Sequence, residues 1–136
     1  PRAVYLSVYG VGDRRLRNAA LALIDRTELN ALVIDVKGDR GLVPYRSAVG
    51  TASSIGALQV MTVPDLPALV QSLRQRGVYT IARIVTFKDT LLAHARPDLA
   101  LRRPDGTLYL DREGLAWTSP YKPEVWRYNI ALAVEA

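Results

Sequence analysis

The chain has 136 residues and a mass of 15.0 kDa; 49% of its residues are hydrophobic and 23% are charged. This composition is typical of one globular domain and excludes disordered and fibrous proteins. No apolar run approaches the roughly 18 residues that a membrane-spanning helix requires. Because the chain contains no cysteine, disulfides, thiolate metal sites and a cysteine nucleophile are also excluded.

The formal net charge of +5 admits anionic partners such as nucleic acid or an acidic polysaccharide. The basic residues nevertheless lie in small, separated groups, and no stretch interleaves them with aromatic side chains that stack on bases. We therefore expect no nucleic-acid partner.

A strand followed by a helix is predicted at the start of the chain. Residues 3–8 are mostly apolar and rich in β-forming side chains, and they run into a glycine-rich turn at residues 10–12. Asp13 is a good helix N-cap, and the helix after it is expected to end near Asn30. Helical spacing predicts that its sheet-facing stripe consists of Leu16, Ala19, Ala20, Leu23 and Ile24.

A second strand and a long loop follow. Residues 31–36 form a nearly continuous apolar run, typical of a parallel strand buried on both faces, and Asp35 is its one charged residue. Residues 37–63 break this pattern with glycines, a proline and a polar patch, which indicates a long loop with a small hairpin around residues 39–41. Long loops inside compact domains are usually functional.

The alternation of helix and strand then continues. Asp65 is expected to cap a second helix that ends at Gly77. Residues 78–85 form a third apolar strand, in which Arg83 near the end is the one charged residue.

After the third strand we predict a β-hairpin excursion, with a turn at residues 104–106, and a last helix that begins at Pro123. One face of this helix is expected to carry Trp126, Asn129, Ile130, Ala133 and Val134. The order of the elements predicts an α/β fold whose parallel strands are joined by right-handed crossovers.

Two charged residues inside apolar strands are the first functional candidates, because ligands of parallel α/β sheets bind at the carboxyl ends of the strands. Asp35 and Arg83 each occupy a position where an unpaired charge is costly, so we expect them to face each other or a ligand. A structural ion pair between neighbouring strand ends is the alternative interpretation.

A candidate carboxylate pair follows the second strand. Alternation along an extended chain would place Asp35, Lys37 and Asp39 on one face. Asp35 and Asp39 could then perform acid-base chemistry at a glycosidic bond. Asp39 also lies in a glycine-flanked turn, where aspartate is common for backbone reasons alone.

Aromatic residues in the loops supply a second kind of candidate. Tyr9, Trp117 and Tyr121 could form a stacking floor under sugar rings, although a single loop tryptophan is as often a packing anchor. His94 is expected at the surface and has no second histidine with which to bind a metal. The glycines at residues 10–12 lack the third glycine of a dinucleotide fingerprint, so we expect no metal and no cofactor.

Four segments together resemble the bacterial family described as putative glycosyl hydrolase domain, a group of TIM-barrel proteins. In chain order they are YLSVYGVG, ELNALVIDVKGDRGLVPY, GVYTIARIVTFKDTLLAHARPDLAL and DREGLAWTSPYKPEVWRYNIALAVEA. The segments occur with family-like spacing and cover essentially the whole chain.

The resemblance implies part of a (β/α)8 barrel, with a sugar site at the carboxyl ends of the strands. It places six substrate-binding candidates near that site: Tyr9, Asp35, Lys37, Arg83, Asp89 and Trp117. A complete barrel needs roughly 250 residues, so residues 1–136 are expected to hold its N-terminal half, about three βα units. Family members carry an acidic residue and an arginine on a fourth strand, which this sequence lacks. Only Asp35 and Asp39 therefore remain as catalytic candidates, and we expect the isolated chain to be inactive.

The function implied by the resemblance is hydrolysis of a polysaccharide or oligosaccharide, in the cell envelope or elsewhere outside the cytoplasm. The alternatives are a barrel that binds a glycan without cleaving it, and an α/β domain that binds anionic polymers through its net positive charge. Because three parallel strands leave two open sheet edges, we also expect the chain to self-associate.

Overall fold

Three parallel strands form one sheet: β1 (Ala3–Leu6), β2 (Ala31–Lys37) and β3 (Tyr79–Ile84), hydrogen-bonded in that order. The computed structural model describes all residues, 1–136. Six helices accompany the sheet: α1 (Val8–Gly12), α2 (Arg14–Arg26), α3 (Gly50–Ser54), α4 (Leu66–Gln75), α5 (Thr90–Ala95) and α6 (Pro123–Glu135). The predicted α/β class and the three parallel strands are confirmed. None of the helices combines the length and apolar character of a membrane-spanning segment.

The central strand β2 has two different faces. One face packs in the main hydrophobic core against side chains of α2, α4 and α6 through Leu32, Ile34 and Val36. The other face carries Asp35, which lies directly beside Arg83 of β3 in the parallel register. Because alternate residues of a strand point to opposite sides of the sheet, the helices cover one face while the other carries polar side chains.

The first connection differs from the predicted strand and turn. β1 ends at Leu6, and the residues expected to form a turn form the short helix α1, capped by Ser7, whose Oγ accepts from the Gly10 N–H at 3.2 Å. A Cβ atom at Gly12 would lie 2.4 Å from the Cβ atom of Thr62. The glycines therefore permit a close approach between α1 and the long loop, which the sequence alone did not distinguish from a turn.

Helix α2 begins as predicted but is rotated relative to the predicted stripe. The Leu16 N–H donates to Asp13 Oδ1 at 2.9 Å, which confirms the N-cap. The buried residues are Ala20 and Leu21, whereas Leu16 and Leu23 are half-exposed. The expected sheet-facing stripe is thus wrong in part, because no strand lies beyond β1 to cover that flank of the helix.

The long loop and the helix after it position the end of β2. The hairpin expected around residues 39–41 is a tight turn without flanking strands, in which the Gly38 N–H donates to the Leu42 carbonyl at 3.0 Å. The loop also contains α3, which was not predicted. Asp65 caps α4 by accepting from the Ala68 N–H at 3.0 Å, and Gly77 follows the helix with a φ of +72°, both as predicted.

The predicted excursion after β3 is present, and it folds back twice. Three antiparallel bridges hold it together: Ala100 with Thr118, Arg102 with Leu108, and Leu110 with Ala116. The chain then enters α6, whose buried residues are Val125, Tyr128, Asn129 and Leu132. The face predicted from the apolar spacing is largely exposed, because α6 packs through the adjacent face.

Candidate functional site

Tyr5, Asp35 and Arg83 form a hydrogen-bonded triad on the polar face of the sheet. The Tyr5 hydroxyl donates to Asp35 Oδ2 at 2.6 Å, and Arg83 Nη1 donates to Asp35 Oδ1 at 2.6 Å. Arg83 Nη1 also donates to the Tyr5 hydroxyl oxygen at 3.2 Å, and the guanidinium carbon lies 5.3 Å from the Tyr5 ring centroid. The prediction that Asp35 and Arg83 face each other is confirmed, while Tyr5 was not singled out from the sequence.

The triad presents a guanidinium, and not a carboxylate, to solvent. The side chain of Arg83 is 45% exposed, whereas that of Asp35 is only 3% exposed. Burial and the hydrogen bond to Asp35 raise the pKa of Tyr5 to about 12, so this hydroxyl remains a donor at neutral pH. The hydrogen bond that Arg83 donates to Asp35 likewise raises the pKa of Arg83. With both its oxygens engaged by these donors, Asp35 orients Arg83.

Lys37 and Asp89 form a second ion pair, which is fully buried. Lys37 Nζ donates to Asp89 Oδ2 at 2.7 Å and lies 5.1 Å from the ring centroid of Tyr128 on α6. The register between β2 and β3 shifts between Asp35 and Lys37, so the alternation of the strand is interrupted there. The expectation that Lys37 shares one face with Asp35 and Asp39 is therefore wrong. Neither Lys37 nor Asp89 is exposed to a ligand in this structure.

Lys88 gathers three carboxylates just beyond the end of β3. Its ammonium group contacts Glu113 most closely, and Asp111 Oδ2 and Asp39 Oδ2 lie 3.3 Å and 4.0 Å from Nζ. These contacts raise the pKa of Lys88, with the hydrogen bond to Glu113 as the main cause. Sequence analysis did not select Asp111 or Glu113. Both lie within the excursion, far from Lys88 along the chain, and no local spacing pattern joins them to it.

Asp111 fixes the orientation of Trp117. The indole Nε1 donates to Asp111 Oδ2 at 2.9 Å, while the N–H groups of Glu113 and Leu115 donate to Asp111 Oδ1 at 2.9 and 3.0 Å. The hydrogen bond from Trp117, together with these backbone donors, lowers the pKa of Asp111 to about 2. At neutral pH the carboxylate is therefore charged and holds the indole ring in one orientation.

An open cleft of about 410 Å³, which we call the Trp117 cleft, brings several of these groups together. Its lining residues are Asp39, Arg83, Ile84, Val85, Thr86, Phe87, Lys88 and Trp117. The cleft thus combines an indole ring with a guanidinium, an ammonium and a carboxylate at the carboxyl end of β3. An aromatic surface bordered by a few polar groups is a usual composition for a small-molecule or sugar site.

The remaining candidates lie apart from the Trp117 cleft. Tyr9 is half-exposed on α1 and lines a separate cleft, and Tyr121 is almost fully exposed. His94 is exposed, as predicted, with Nδ1 2.8 Å from the Thr90 carbonyl oxygen. Asp35 lies behind Arg83, and only Asp39 of the predicted carboxylate pair lines the Trp117 cleft. No group of three or more acidic or histidine side chains is arranged to hold a metal ion.

Comparison with known proteins gives one family and one solved structure. The family model described as putative glycosyl hydrolase domain matches residues 3–136. The crystal structure of a hypothetical protein from Ruminiclostridium thermocellum ATCC 27405 is similar at 31% sequence identity and a TM-score of 0.85, over 97% of this chain and 68% of that chain. A search of curated proteins found no match. The chain therefore belongs to the putative glycosyl hydrolase domain family.

Proposed function

We propose that this chain binds a polysaccharide or oligosaccharide in the Trp117 cleft, as the N-terminal part of a glycoside hydrolase-like (β/α) barrel. The observation that carries the proposal is the indole of Trp117, fixed by Asp111 beside Arg83 and Asp39. A fixed aromatic ring stacks on the apolar face of a sugar, and the charged groups around it hydrogen-bond to the hydroxyl groups. Membership of a glycosyl hydrolase family supports carbohydrate as the ligand class.

The barrel part of the proposal is supported by the surfaces that the sheet leaves open. β1 and β3 each have a free hydrogen-bonding edge, because β2 lies between them. Exposed apolar side chains lie on α2, which contacts β1 (Leu16 and Leu23), and on α6 (Ile130 and Val134). Further strand-helix units on both sides would cover these edges and helix flanks and would complete the ring around the polar face.

The roles of the polar residues follow from their contacts. Arg83 offers its outer N–H groups to ligand oxygens, because only Nη1 is engaged by Asp35 and Tyr5. Asp39 is the exposed carboxylate of the cleft, and it is the candidate for acid-base chemistry in this chain. Lys37 and Asp89 form a buried ion pair that stabilises the end of β2, and they take no direct part in binding.

A glycan-binding protein without hydrolysis is the second candidate function. It is favoured by the positions of the predicted carboxylate pair, because Asp39 lines the Trp117 cleft whereas Asp35 lies behind Arg83. A glycosidase requires two carboxyl groups that flank the scissile bond. In both functions the ligand occupies the same cleft, and the two differ only in turnover.

The test is binding of oligosaccharides to the 136-residue chain and to two tryptophan variants. Soluble oligomers of glucose, N-acetylglucosamine, xylose, mannose and galactose are titrated calorimetrically, and reducing ends are assayed in parallel. We expect Trp117→Ala to weaken binding at least tenfold, because the stacking surface is lost. Trp126→Ala is the matched control, since Trp126 is also a half-exposed indole with a bonded Nε1 but lies outside the cleft. Equal affinities of both variants for every sugar would refute the proposal.

A further inference from the structure

A second cleft of about 270 Å³, which we call the Tyr9 cleft, lies at the same end of the sheet. It is lined by Tyr9, Arg40, Leu42, Gln59, Val60, Thr90, Leu91 and Leu115. These residues come from α1, from the loop after β2 and from the segments that follow β3. The segments that follow the carboxyl ends of all three strands therefore line this cleft. Parallel α/β folds bind their ligands at these strand ends.

The chemistry of the Tyr9 cleft resembles that of the Trp117 cleft. Tyr9 is 51% exposed and provides an aromatic ring, while leucines 42, 91 and 115 provide an apolar base. The hydroxyl of Tyr9, the guanidinium of Arg40 and the amide of Gln59 form no side-chain hydrogen bond or ion pair with the protein. An exposed ring with free donors and acceptors around it fits the alternating apolar and hydroxyl surface of a sugar.

The ring of Tyr9 is carried on a well-fixed element. Ser7 caps α1, and the Thr62 hydroxyl donates to the Val8 carbonyl, so α1 is tied to the loop that also carries Gln59. The backbone of Gly12 lies directly against Thr62, where any side chain would collide. The backbone segments that carry Tyr9 and Gln59 therefore keep their relative positions without a ligand, which reduces the entropy cost of binding.

The two clefts share one wall. Asp39 lines the Trp117 cleft and its neighbour Arg40 lines the Tyr9 cleft. Lys88 and Trp117 likewise line the Trp117 cleft, whereas Thr90 and Leu115, two residues away from them, line the Tyr9 cleft. Each of these three chain segments therefore contributes residues to both clefts, so the clefts are immediate neighbours along one edge of the sheet.

We propose that the Tyr9 cleft is a second sugar-binding subsite, so that the ligand is an oligosaccharide long enough to occupy both clefts. This inference rests on the proposed function of the Trp117 cleft and adds a second contact site for the same chain of sugars. Linking two weak sugar contacts in one ligand makes the second contact intramolecular, which raises the affinity without any new residue.

The test measures how affinity depends on oligosaccharide length, in the unchanged chain and in variants of the cleft residues. The probes are cello-oligosaccharides and chito-oligosaccharides of one to six sugars, titrated against the 136-residue chain. We expect the affinity to rise by about tenfold or more between short and long oligomers. Tyr9→Ala should abolish this rise and leave the affinity for the shortest bound oligomer unchanged. Gln59→Ala should reduce the rise in part.

Tyr79→Ala is the matched control, because Tyr79 is an exposed tyrosine at the amino end of β3, away from both clefts. It should bind every oligomer as the unchanged chain does. Trp117-dependent binding whose affinity is independent of length, or a Tyr9→Ala variant that keeps the length dependence, would overturn the second subsite and leave the proposed function intact. Absence of any Trp117-dependent binding would overturn both.

Discussion

Lys37 and Asp89 show how one buried pair joins two parts of the site. Both side chains are fully buried, and their contact connects the end of β2 to α5. Asp89 also caps α5, because its Oδ1 accepts from the Leu92 N–H at 3.0 Å. Burial lowers the pKa of Lys37, and the neighbouring Asp89 opposes this effect. The pair is therefore a structural connection between the strand ends and the segment that carries Lys88.

We expect Lys37→Met to destabilise the chain by about 3–5 kcal/mol, because it leaves Asp89 charged, buried and unpaired. The double variant Lys37→Met with Asp89→Asn should lose less stability than Lys37→Met alone, since asparagine can keep the α5 cap without a charge. Urea unfolding of the unchanged chain, of the two single variants Lys37→Met and Asp89→Asn, and of the double variant measures these differences. Additive losses in the double variant would show that the two side chains do not act as a pair.

At the scale of elements, sequence patterns identify segments better than they identify orientations. The three strands, the caps at Asp13 and Asp65, and the facing of Asp35 and Arg83 followed from local signals, namely apolar runs, capping residues and charges at matching strand positions. The buried faces of α2 and α6 did not, because which flank of an amphipathic helix is covered depends on neighbouring strands.

The interrupted strand and the excursion explain what sequence analysis missed at the site. An alternation rule assumes continuous pairing, and the register shift before Lys37 violates it. The partners of Lys88 come from a doubly folded excursion, whose antiparallel bridges bring Asp111 and Glu113 back to the end of β3. Contacts of this kind depend on tertiary pairing and leave no short spacing motif in the sequence.

The tight turn after β2 provides a test at this scale. Gly41 has a φ of +89°, and a Cβ atom there would lie 2.2 Å from Asp89 Oδ1. Gly106 has a φ of +85° with open space around it, so Gly106→Ala should cost only the backbone strain of about 1–2 kcal/mol. Gly41→Ala should cost clearly more, because it also displaces Asp89 from Lys37. Urea unfolding of both variants measures these costs. Equal losses of stability would mean that the turn adjusts to the new side chain without disturbing the buried pair.

At the scale of the whole molecule, the sheet and its helices present two open flanks. The free edges of β1 and β3 bound the sheet, Leu16 and Leu23 are exposed on α2, which contacts β1, and Ile130 and Val134 are exposed on α6. Unpaired edges and exposed apolar side chains favour pairing with another chain. The formal net charge of +5 opposes association only weakly at physiological salt, where charges are screened over about 8 Å.

We therefore expect the 136-residue chain to self-associate through these flanks, burying of order 1,000 Å² or more per contact. Sedimentation velocity should show a mass above 15.0 kDa that increases with concentration. Ile130→Lys should shift the chain toward monomer, because a charge on the α6 flank would be desolvated in the contact. Gln75→Lys, which adds the same charge at an exposed position of α4, should not. A monodisperse 15.0 kDa monomer with a sharp unfolding transition would contradict this, since it would require that the open edges and exposed apolar side chains be stable in water unpaired.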